Sequence, residues 1–474
     1  MKLYFSILFT TITLLGCKDH DNNTVVDYAY IGGEIINPNT DYIVLSREES
    51  ILDTIKLDGK NRFIYKIKNI EAGLYTFRHG GEYQMVLLEP KDSILFRLNT
   101  LDFDESLVFT GRGDKKNNYL INAFLTNEQE EKHIVRLCQL NPKNYQKHVD
   151  SLKSIKINHF KKFDEKHELS TLFKKIVKTN IDYSYYSSKE VYPFIHYGKD
   201  KAANLKSLPD NFYSYRKEIN YNDEFLNNHS NYKTFLRHSF NNLSLKTHNE
   251  HANHELVFNR RSLCYNLDRL KLIDSLVTNA VIKDDLLYHF ATHYISKSKN
   301  QDNNNAILKS YLSKSKNEKS KQLLTRYTSA LNNLKEGNKL PIVNLLDYNN
   351  NDIEINTIIT KPTVISFWSH NYYQHFKESH YKINALELKY PEVNFITINT
   401  DAYGIEKSKK TLLNSRFDFK NEYQFKDPKE GSNVFAVYPM TKTIMLDKNK
   451  TIINNNSNLF SIKFEEQLLG LINR

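Results

Sequence analysis

Residues 363–376 read TVISFWSHNYYQHF, and this stretch decides how the last third of the chain folds. Its first six residues are mostly apolar strand formers, the composition of a strand that is buried on both faces of a sheet. From Phe376 to Tyr390 the apolar residues recur at helical spacing, which predicts a helix with one buried face. A buried strand followed at once by such a helix indicates an α/β unit.

The segments after this helix continue the alternation. Val393 to Asn399 predicts a second strand, and Tyr403 to Leu413 predicts a second helix. Two strand patterns, Thr443 to Leu446 and Thr451 to Ile453, flank a polar turn and predict a hairpin. Phe464 to Ile472 has helical spacing and predicts a final helix. The predicted order of elements is therefore β-α-β-α-β-β-α.

This order resembles thioredoxin, and most closely the TlpA-like disulfide reductases of bacterial envelopes. The family's motifs are matched by Lys361-Pro362 before the first strand, Phe367-Trp368 at its end, Pro439 at the position of a cis-proline, and Leu446-Asp447 at the end of a later strand. The resemblance covers residues 338–474, within a C-terminal domain predicted at 337–474. It implies a thioredoxin-like α/β fold and a redox-active pair of cysteines shortly after the tryptophan.

The cysteine positions of the family are not filled by cysteine here. Counted from Trp368, they hold Tyr372 and His375, with Tyr373 and Gln374 between them. Thiol–disulfide exchange requires a thiolate nucleophile and a resolving sulfur, so a phenol and an imidazole cannot replace the pair. The sequence therefore predicts a degenerate active-site turn without catalytic residues, and it favours a protein that is not an enzyme.

The resemblance also implies a peptide-binding groove beside the cis-proline. Tyr438 and Met440 flank Pro439, and we expect Trp368, Tyr372 and Tyr373 to form the facing wall. Aromatic side chains of this kind suit an interaction surface. The alternative is that the site is a relic in which the aromatic rings only cap the helix.

The N-terminus is predicted to be a targeting segment. After Met1-Lys2, an apolar run extends to Leu15, too short to span a bilayer but typical of the core of a signal peptide. It ends in Leu14-Leu15-Gly16-Cys17, which resembles the bacterial lipobox. We predict a signal peptide at 1–16, lipidation of Cys17 and a polar tether at 17–27, with a plain secretory peptide as the alternative. Acyl chains on this cysteine would anchor the protein to the outer membrane, facing the periplasm or the cell surface.

Two further regions precede the C-terminal domain. Between 28 and 112, short strand patterns separated by turn residues predict an antiparallel sandwich or barrel, and the segment resembles the small β-domain that often precedes thioredoxin-like domains. Between 113 and 336 the spacing becomes helical, and we expect several amphipathic helices joined by polar loops such as 299–305. The predicted fold class is multidomain α+β.

Several cysteine and histidine residues are candidates for a disulfide or a metal site. Cys138 and Cys264 lie far apart in sequence and either pair as a disulfide or stay as isolated thiols, and no CxxC motif is present. The three histidines His248, His251 and His254 step by three in a polar segment that reads as a loop, so we predict no metal site there. His370, His375 and His380 would not share a helix face. No metal or cofactor is predicted.

The net charge of +11 over 474 residues does not indicate a nucleic-acid partner. The basic residues are spread along the chain and interleaved with acidic ones, whereas nucleic-acid binding needs a clustered stripe. The sequence predicts a redox-inactive, lipid-anchored binding or scaffold protein with peptide or protein partners. Two alternatives stay open: a thiol oxidoreductase that uses Cys138 or Cys264, and a nutrient-capture lipoprotein whose site lies in the middle helices and the β-domain.

Overall fold

The computed structural model describes residues 28–48, 50–252 and 257–473. The predicted signal peptide, Cys17 and the whole tether at 17–27 lie outside the described residues, as does His254. Over the described part the chain has mixed α and β structure, with three sheets and thirteen α-helices. None of these helices is both long enough and apolar enough to cross a lipid bilayer.

Eight strands near the N-terminus form a β-sandwich. They are β1 (Ala29–Ile36), β2 (Tyr42–Arg47), β3 (Ser50–Lys56), β4 (Arg62–Ile67), β5 (Gly73–His79), β6 (Glu82–Leu88), β7 (Ser93–Asn99) and β8 (Val108–Arg112). One sheet has the order β4-β1-β7-β8 and the other the order β3-β2-β5-β6. Alternate residues of both sheets meet in one apolar core, where the rings of Phe77 and Phe96 stack with centroids 4.5 Å apart.

The prediction of a wholly antiparallel β-domain is wrong at one strand pair. β1 and β7 run parallel in their sheet, with Ile31 opposite Ile94. Since the chain passes through the second sheet between these strands, no hairpin joins them and they are free to run in the same direction.

The middle of the chain is helical. Its helices are α1 (Asp114–Leu137), α2 (Pro142–Asp164), α3 (Thr171–Ile195), α4 (Lys201–Lys206), α5 (Ser230–His251), α6 (Leu263–Leu276), α7 (Ala280–Lys297), α8 (Gln301–Lys314) and α9 (Glu318–Asn333). The side chains of Asn141, Ser170, Asn279 and Asn317, among others, accept hydrogen bonds from the first turns of their helices.

Two segments predicted as loops in this region are helical. The interval 299–305 is mostly the first turn of α8, because the side chain of Asn300 caps the helix by accepting from the backbone N–H of Asn303. His248 and His251 lie in the last turn of α5. Burial of the apolar face of that helix outweighs the polar composition of its end.

The C-terminal region is an α/β unit around a seven-stranded sheet. Its elements are β9 (Asn344–Leu346), β10 (Asp352–Glu354), β11 (Thr363–Trp368), α10 (Tyr373–Lys389), β12 (Asn394–Asn399), α11 (Ile405–Asn414), β13 (Glu422–Phe425), α12 (Pro428–Val434), β14 (Lys442–Leu446), β15 (Ile452–Asn458) and α13 (Phe464–Ile472). The strand order is β10-β9-β13-β12-β11-β14-β15. The first hairpin, β13 and α12 were not predicted from the sequence.

The central strand β11 organises this sheet. It pairs parallel with β12 and antiparallel with β14, and the peptide bond between Tyr438 and Pro439, just before β14, is cis as expected. Ile365 and Phe367 face one side of the sheet and Val364 the other, each packing into its own apolar cluster. Ala330 of α9 belongs to the first of these clusters, so the last middle helix shares a core with the sheet.

Candidate functional site

The degenerate turn lies between β11 and α10. Residues His370–Tyr372 form one 3-10 turn, and α10 begins at Tyr373. The side chain of Tyr372 points to solvent, with 56% of the residue exposed. His375 is half-buried; its Nε2 lies 3.3 Å from the carbonyl oxygen of Phe367, and burial lowers the pKa of its imidazole. The two positions therefore hold a solvated phenol and an imidazole that favours its neutral form.

The buried carboxylate of Asp401 holds the first residues of this turn through hydrogen bonds. It accepts hydrogen bonds from the Ser369 hydroxyl at 2.6 Å and from the backbone N–H of His370 at 2.7 Å, and it lies 2.6 Å from Nδ1 of the same histidine. Burial alone would raise the pKa of Asp401, but the hydrogen bonds from His370 and Ser369 together hold it below its ordinary value. Asp401 is therefore an ionised anchor for the first residues of the turn.

The same histidine reaches a hydroxyl on its other side. His370 Nε2 lies 3.0 Å from Thr411 Oγ1, which gives the order carboxylate, imidazole, hydroxyl known from hydrolytic triads. The Thr411 hydroxyl also lies 3.0 Å from the carbonyl oxygen of Lys407 one helical turn earlier, which is a second acceptor for its proton. This network ties the turn to α11.

The cis-proline loop is engaged by the chain's own middle region. The backbone N–H of Tyr438 donates to Ala436 O at 2.8 Å, and its carbonyl oxygen accepts from the Tyr327 hydroxyl of α9 at 3.0 Å. The rings of Tyr327 and Tyr438 also meet edge to face. Both backbone polar groups of Tyr438 are thus satisfied within the chain, while 48% of the residue remains exposed.

A buried lysine donates hydrogen bonds to the backbone that leads into this loop. Lys442, the first residue of β14, is 2% exposed, and its ammonium donates to the carbonyl oxygens of Phe435 at 2.8 Å and Ala436 at 3.1 Å. Burial lowers the pKa of Lys442 to about 7. Lys442 therefore holds the backbone just ahead of Pro439 at a cost in desolvation.

Trp368 does not form a wall of the predicted groove. It is 1% exposed and packs on the ring of Phe376, with centroids 4.6 Å apart. The alternation of β11 directs this side chain under α10 rather than towards solvent. Tyr373 is half-buried, so of the predicted aromatic wall only Tyr372 is widely exposed.

The β-sandwich contacts the turn from the other side. A β-carbon added to Gly81, in the turn between β5 and β6, would lie 2.9 Å from Asn371 O and 3.0 Å from His370 O. Nearby, the Lys407 ammonium lies 3.3 Å from the Tyr42 hydroxyl. The degenerate turn and the cis-proline loop are thus contacted by two other regions of the same chain.

The two cysteines of the middle region do not form a disulfide; both are thiols. Cys138 ends α1 in a cluster with Tyr145 and Tyr192, whereas Cys264 lies in the first turn of α6. Burial raises the pKa of the Cys138 thiol to about 11, despite a hydrogen bond with Tyr145 that lowers it. Cys264 is partly exposed.

A cavity of about 420 Å³ lies between α5, α6 and α7. Its described lining has no aspartate or glutamate and includes five cationic side chains: Arg237, Arg260, Arg261, Arg269 and Lys297. Arg269 is 4% exposed and donates to the amide oxygens of Asn241 and Asn266 instead of to a carboxylate. Its Nε has no hydrogen-bond partner within the described part of the chain.

Three histidines, His238, His289 and His293, also line this basic cavity. Burial, and then the neighbouring Arg237, lower the pKa of His289 to about 3, and burial lowers that of His293 to about 4. Both rings are therefore neutral at physiological pH. The cavity presents fixed positive charge and neutral imidazoles, which is the surrounding that a small anion requires.

The residues that hold the site together are not among those predicted from the sequence. Asp401 carried a usable signal: it follows β12, and the carboxyl ends of neighbouring parallel strands meet at one edge of a sheet. Lys442 and Tyr327 carried none, because their contacts depend on how distant segments pack.

No family model matches this chain, and no curated protein matches it. Solved structures do. A candidate thiol-disulfide oxidoreductase from Bacteroides vulgatus is 18% identical, with a TM-score of 0.27, and the match covers 29% of this chain and 98% of that one. The thioredoxin domain of a thiol-disulfide oxidoreductase from Bacteroides vulgatus is 15% identical, with a TM-score of 0.24 and coverages of 29% and 97%.

A thiol:disulfide interchange protein from a Bacteroides species is 16% identical, with a TM-score of 0.24, and the match covers 29% of this chain and 91% of that one. The thioredoxin-like topology of the C-terminal region rests on its own strand order, strand directions and helix positions.

Proposed function

We propose that this chain is a redox-inactive, lipid-anchored protein of the bacterial envelope, in which the thioredoxin-like unit is a scaffold and a binding surface. The observation that carries the proposal is which residues occupy the turn between β11 and α10. A solvated phenol at Tyr372 and a half-buried imidazole at His375 stand where thiol exchange needs two sulfurs. Lipidation of Cys17 and export stay part of this proposal.

The contacts around the turn support the scaffold role. In the thioredoxin-like family that this unit resembles, the backbone before the cis-proline binds an extended substrate strand. Here the Tyr438 carbonyl already accepts from Tyr327 of α9, and the hairpin at Gly81 lies against the turn. The surface that receives a substrate in the family is thus used to hold the middle helices and the β-sandwich.

The chemistry of Cys138 argues against a displaced redox site. A thiol with a pKa of about 11 is almost entirely protonated at neutral pH, and this one has no exposed surface. Cys264 is more accessible, but it lies on α6 without a neighbouring cysteine to resolve a mixed disulfide.

Reduction of insulin disulfides by the full chain tests the loss of redox activity. We expect turnover equal to that of a variant in which all three cysteines are replaced by serine. Turnover well above this control would refute the proposal, and its loss in Cys264→Ser would place the reaction at that thiol.

Site-specific cross-linking tests the binding surface. A photoreactive aromatic residue is introduced at Tyr372 or Tyr438, and in a matched control at Tyr197, an exposed tyrosine of the middle region. We expect discrete adducts with envelope proteins from the first two positions only. Identical adducts from all three positions, or none from the first two, would argue against a binding role for this surface.

The basic cavity favours a second candidate function, the capture of a small anionic ligand. Among the described residues Arg269 is buried without a carboxylate partner, which is costly, and an anion bound in the cavity would supply one. Its concave shape and its lack of described acidic lining suit a phosphate, sulfate or carboxylate group.

Calorimetric titration with phosphate, sulfate and citrate tests this second candidate. Arg237→Gln, which changes a partly exposed residue of the cavity, should weaken binding about tenfold or more, consistent with the loss of one charge-assisted hydrogen bond. Arg326→Gln, on α9 and outside the cavity lining, is the matched control. Equal affinities for both variants, or no heat with any of the three anions, would exclude the cavity as the site.

A further inference from the structure

Four side chains with metal-binding atoms converge where the end of α5 meets the start of α6. They are His248 and His251 on α5, and Cys264 and Asp268 on α6. One ligand atom from each residue lies within 4.8 Å of the other three. The spacings i, i+3 on one helix and i, i+4 on the other place each pair on a single face, so the two faces oppose each other.

We propose that these four residues bind a zinc ion. The site is independent of the thioredoxin-like turn, and its function goes beyond the scaffold role. His254, which the sequence grouped with the first two histidines, is outside the described residues, and the facing helix supplies the other ligands.

The distances approach those of tetrahedral coordination. With metal–ligand bonds of about 2.0–2.1 Å to nitrogen or oxygen and about 2.3 Å to sulfur, neighbouring ligands are separated by about 3.3–3.6 Å. Asp268 Oδ2 lies 2.9 Å from His251 Nε2 and 3.4 Å from His248 Nδ1. Cys264 Sγ lies 3.9 Å from Asp268 Oδ2. The four ligand atoms lie within 4.8 Å of one another, so closing the site requires the longest separations to shorten by about an ångström.

The ligand set selects the metal. Two imidazoles, one thiolate and one carboxylate suit borderline-soft zinc, whereas calcium and magnesium need six or more oxygen ligands. Cys264 is the second residue of α6, and a helix N-terminus stabilises a thiolate. On binding, the thiol releases its proton to solvent and the sulfur lone pair forms the bond to zinc. The thiolate and carboxylate together then balance the charge of the ion.

The surroundings of the cluster provide both rigidity and access. His248 is 2% exposed, and the side chain of Asp268 is 15% exposed, so packing orients these two ligands. The side chain of His251 is 46% exposed and opens the site to solvent. Four protein ligands leave no open position, which is typical of a structural ion. Such an ion would link α5 to α6 across the connection at 252–262.

Cobalt substitution tests the proposal directly. The full chain with Cys17→Ser, so that Cys138 and Cys264 are its thiols, is stripped of metal in detergent and titrated with Co²⁺. We expect one equivalent to produce a thiolate-to-cobalt charge-transfer band and the visible bands of a tetrahedral ion, both removed by Zn²⁺. Cys264→Ser should abolish the charge-transfer band, and Cys138→Ser, the matched thiol control, should retain it.

A second variant keeps the test decisive if Cys264→Ser does not fold. His251→Ala changes an exposed side chain and should weaken Co²⁺ binding at least about 100-fold, since losing an outer-shell partner alone costs 10- to 100-fold. A folded chain without a charge-transfer band, or a band that survives in Cys264→Ser, would overturn the proposal. Cobalt held only by the neighbouring histidines of α7 would show no sulfur band and would count against it.

Discussion

The buried charge of Lys442 makes the stability of the C-terminal unit depend on pH. A lysine in the unfolded chain has a pKa near 10.5, whereas burial lowers that of Lys442 to about 7 in the folded protein. Between these values the unfolded state binds more protons, so the free energy of unfolding rises with pH, by at most about 1.4 kcal/mol per unit. From pH 7 to pH 9 the two pKa values give a gain of about 2 kcal/mol.

Lys442→Met removes this titration. The free energy of unfolding of the wild type, minus that of the variant, should therefore increase by about 2 kcal/mol between pH 7 and pH 9. Urea unfolding followed by fluorescence measures it, because the single tryptophan, Trp368, is buried in the same unit. Lys448→Met, in the exposed turn after β14, is the matched control and should follow the wild type. Parallel curves for wild type and Lys442→Met would refute the reasoning.

Three other predictions concern stability and reactivity. Gly431→Ala should cost about 1–3 kcal/mol in urea unfolding, because the new β-carbon would lie 2.3 Å from the Phe425 ring; a neutral result would show that the ring moves aside freely. Asp401→Asn should cost about 2 kcal/mol at pH 7 through lost charge-assisted hydrogen bonds. Because the pKa of Asp401 is lowered, its contribution is present above pH 3.8 and lost as pH falls below that value, so a cost that does not change with pH would contradict it. In the metal-free native chain a thiol reagent should modify Cys264 and reach Cys138 only after unfolding, and fast labelling of Cys138 at pH 7 would contradict its burial.

The sequence pattern predicted the parts of the C-terminal unit whose side chains alternate or recur regularly. β11, α10 and β12 were visible because each has a continuous apolar run or face. β13 was not, because this four-residue strand carries Glu422 and Gln424, two polar residues that are buried in the fold. Gln424 is accommodated by donating to Tyr403 O at 2.7 Å, a contact that has no local signature.

The candidate sites also divide into features that a local sequence pattern predicts and features that depend on tertiary packing. The absence of sulfur from the turn could be read by counting from Trp368, because that spacing is local. The metal cluster could not, since it needs α5 and α6 to pack with His251 and Asp268 facing each other, and the polar end of α5 reads as a loop. The basic cavity was equally hidden, because its cations are spread over three segments that only the tertiary fold brings together.

The metal cluster and the basic cavity are candidate sites outside the thioredoxin-like unit. Around the turn, the polar groups of Ser369, His370 and Asp401 are satisfied by one another, and the carbonyl oxygen of Tyr438 is bound by Tyr327. On α5 to α7, Arg269 is buried without a carboxylate partner among the described residues, and four candidate ligand atoms lie within 4.8 Å of one another. A buried charge without a compensating partner is costly and persists where a ligand supplies that partner. The middle helices therefore offer candidate binding sites in addition to the proposed surface at Tyr372 and Tyr438, and the thioredoxin-like unit contacts them through α9.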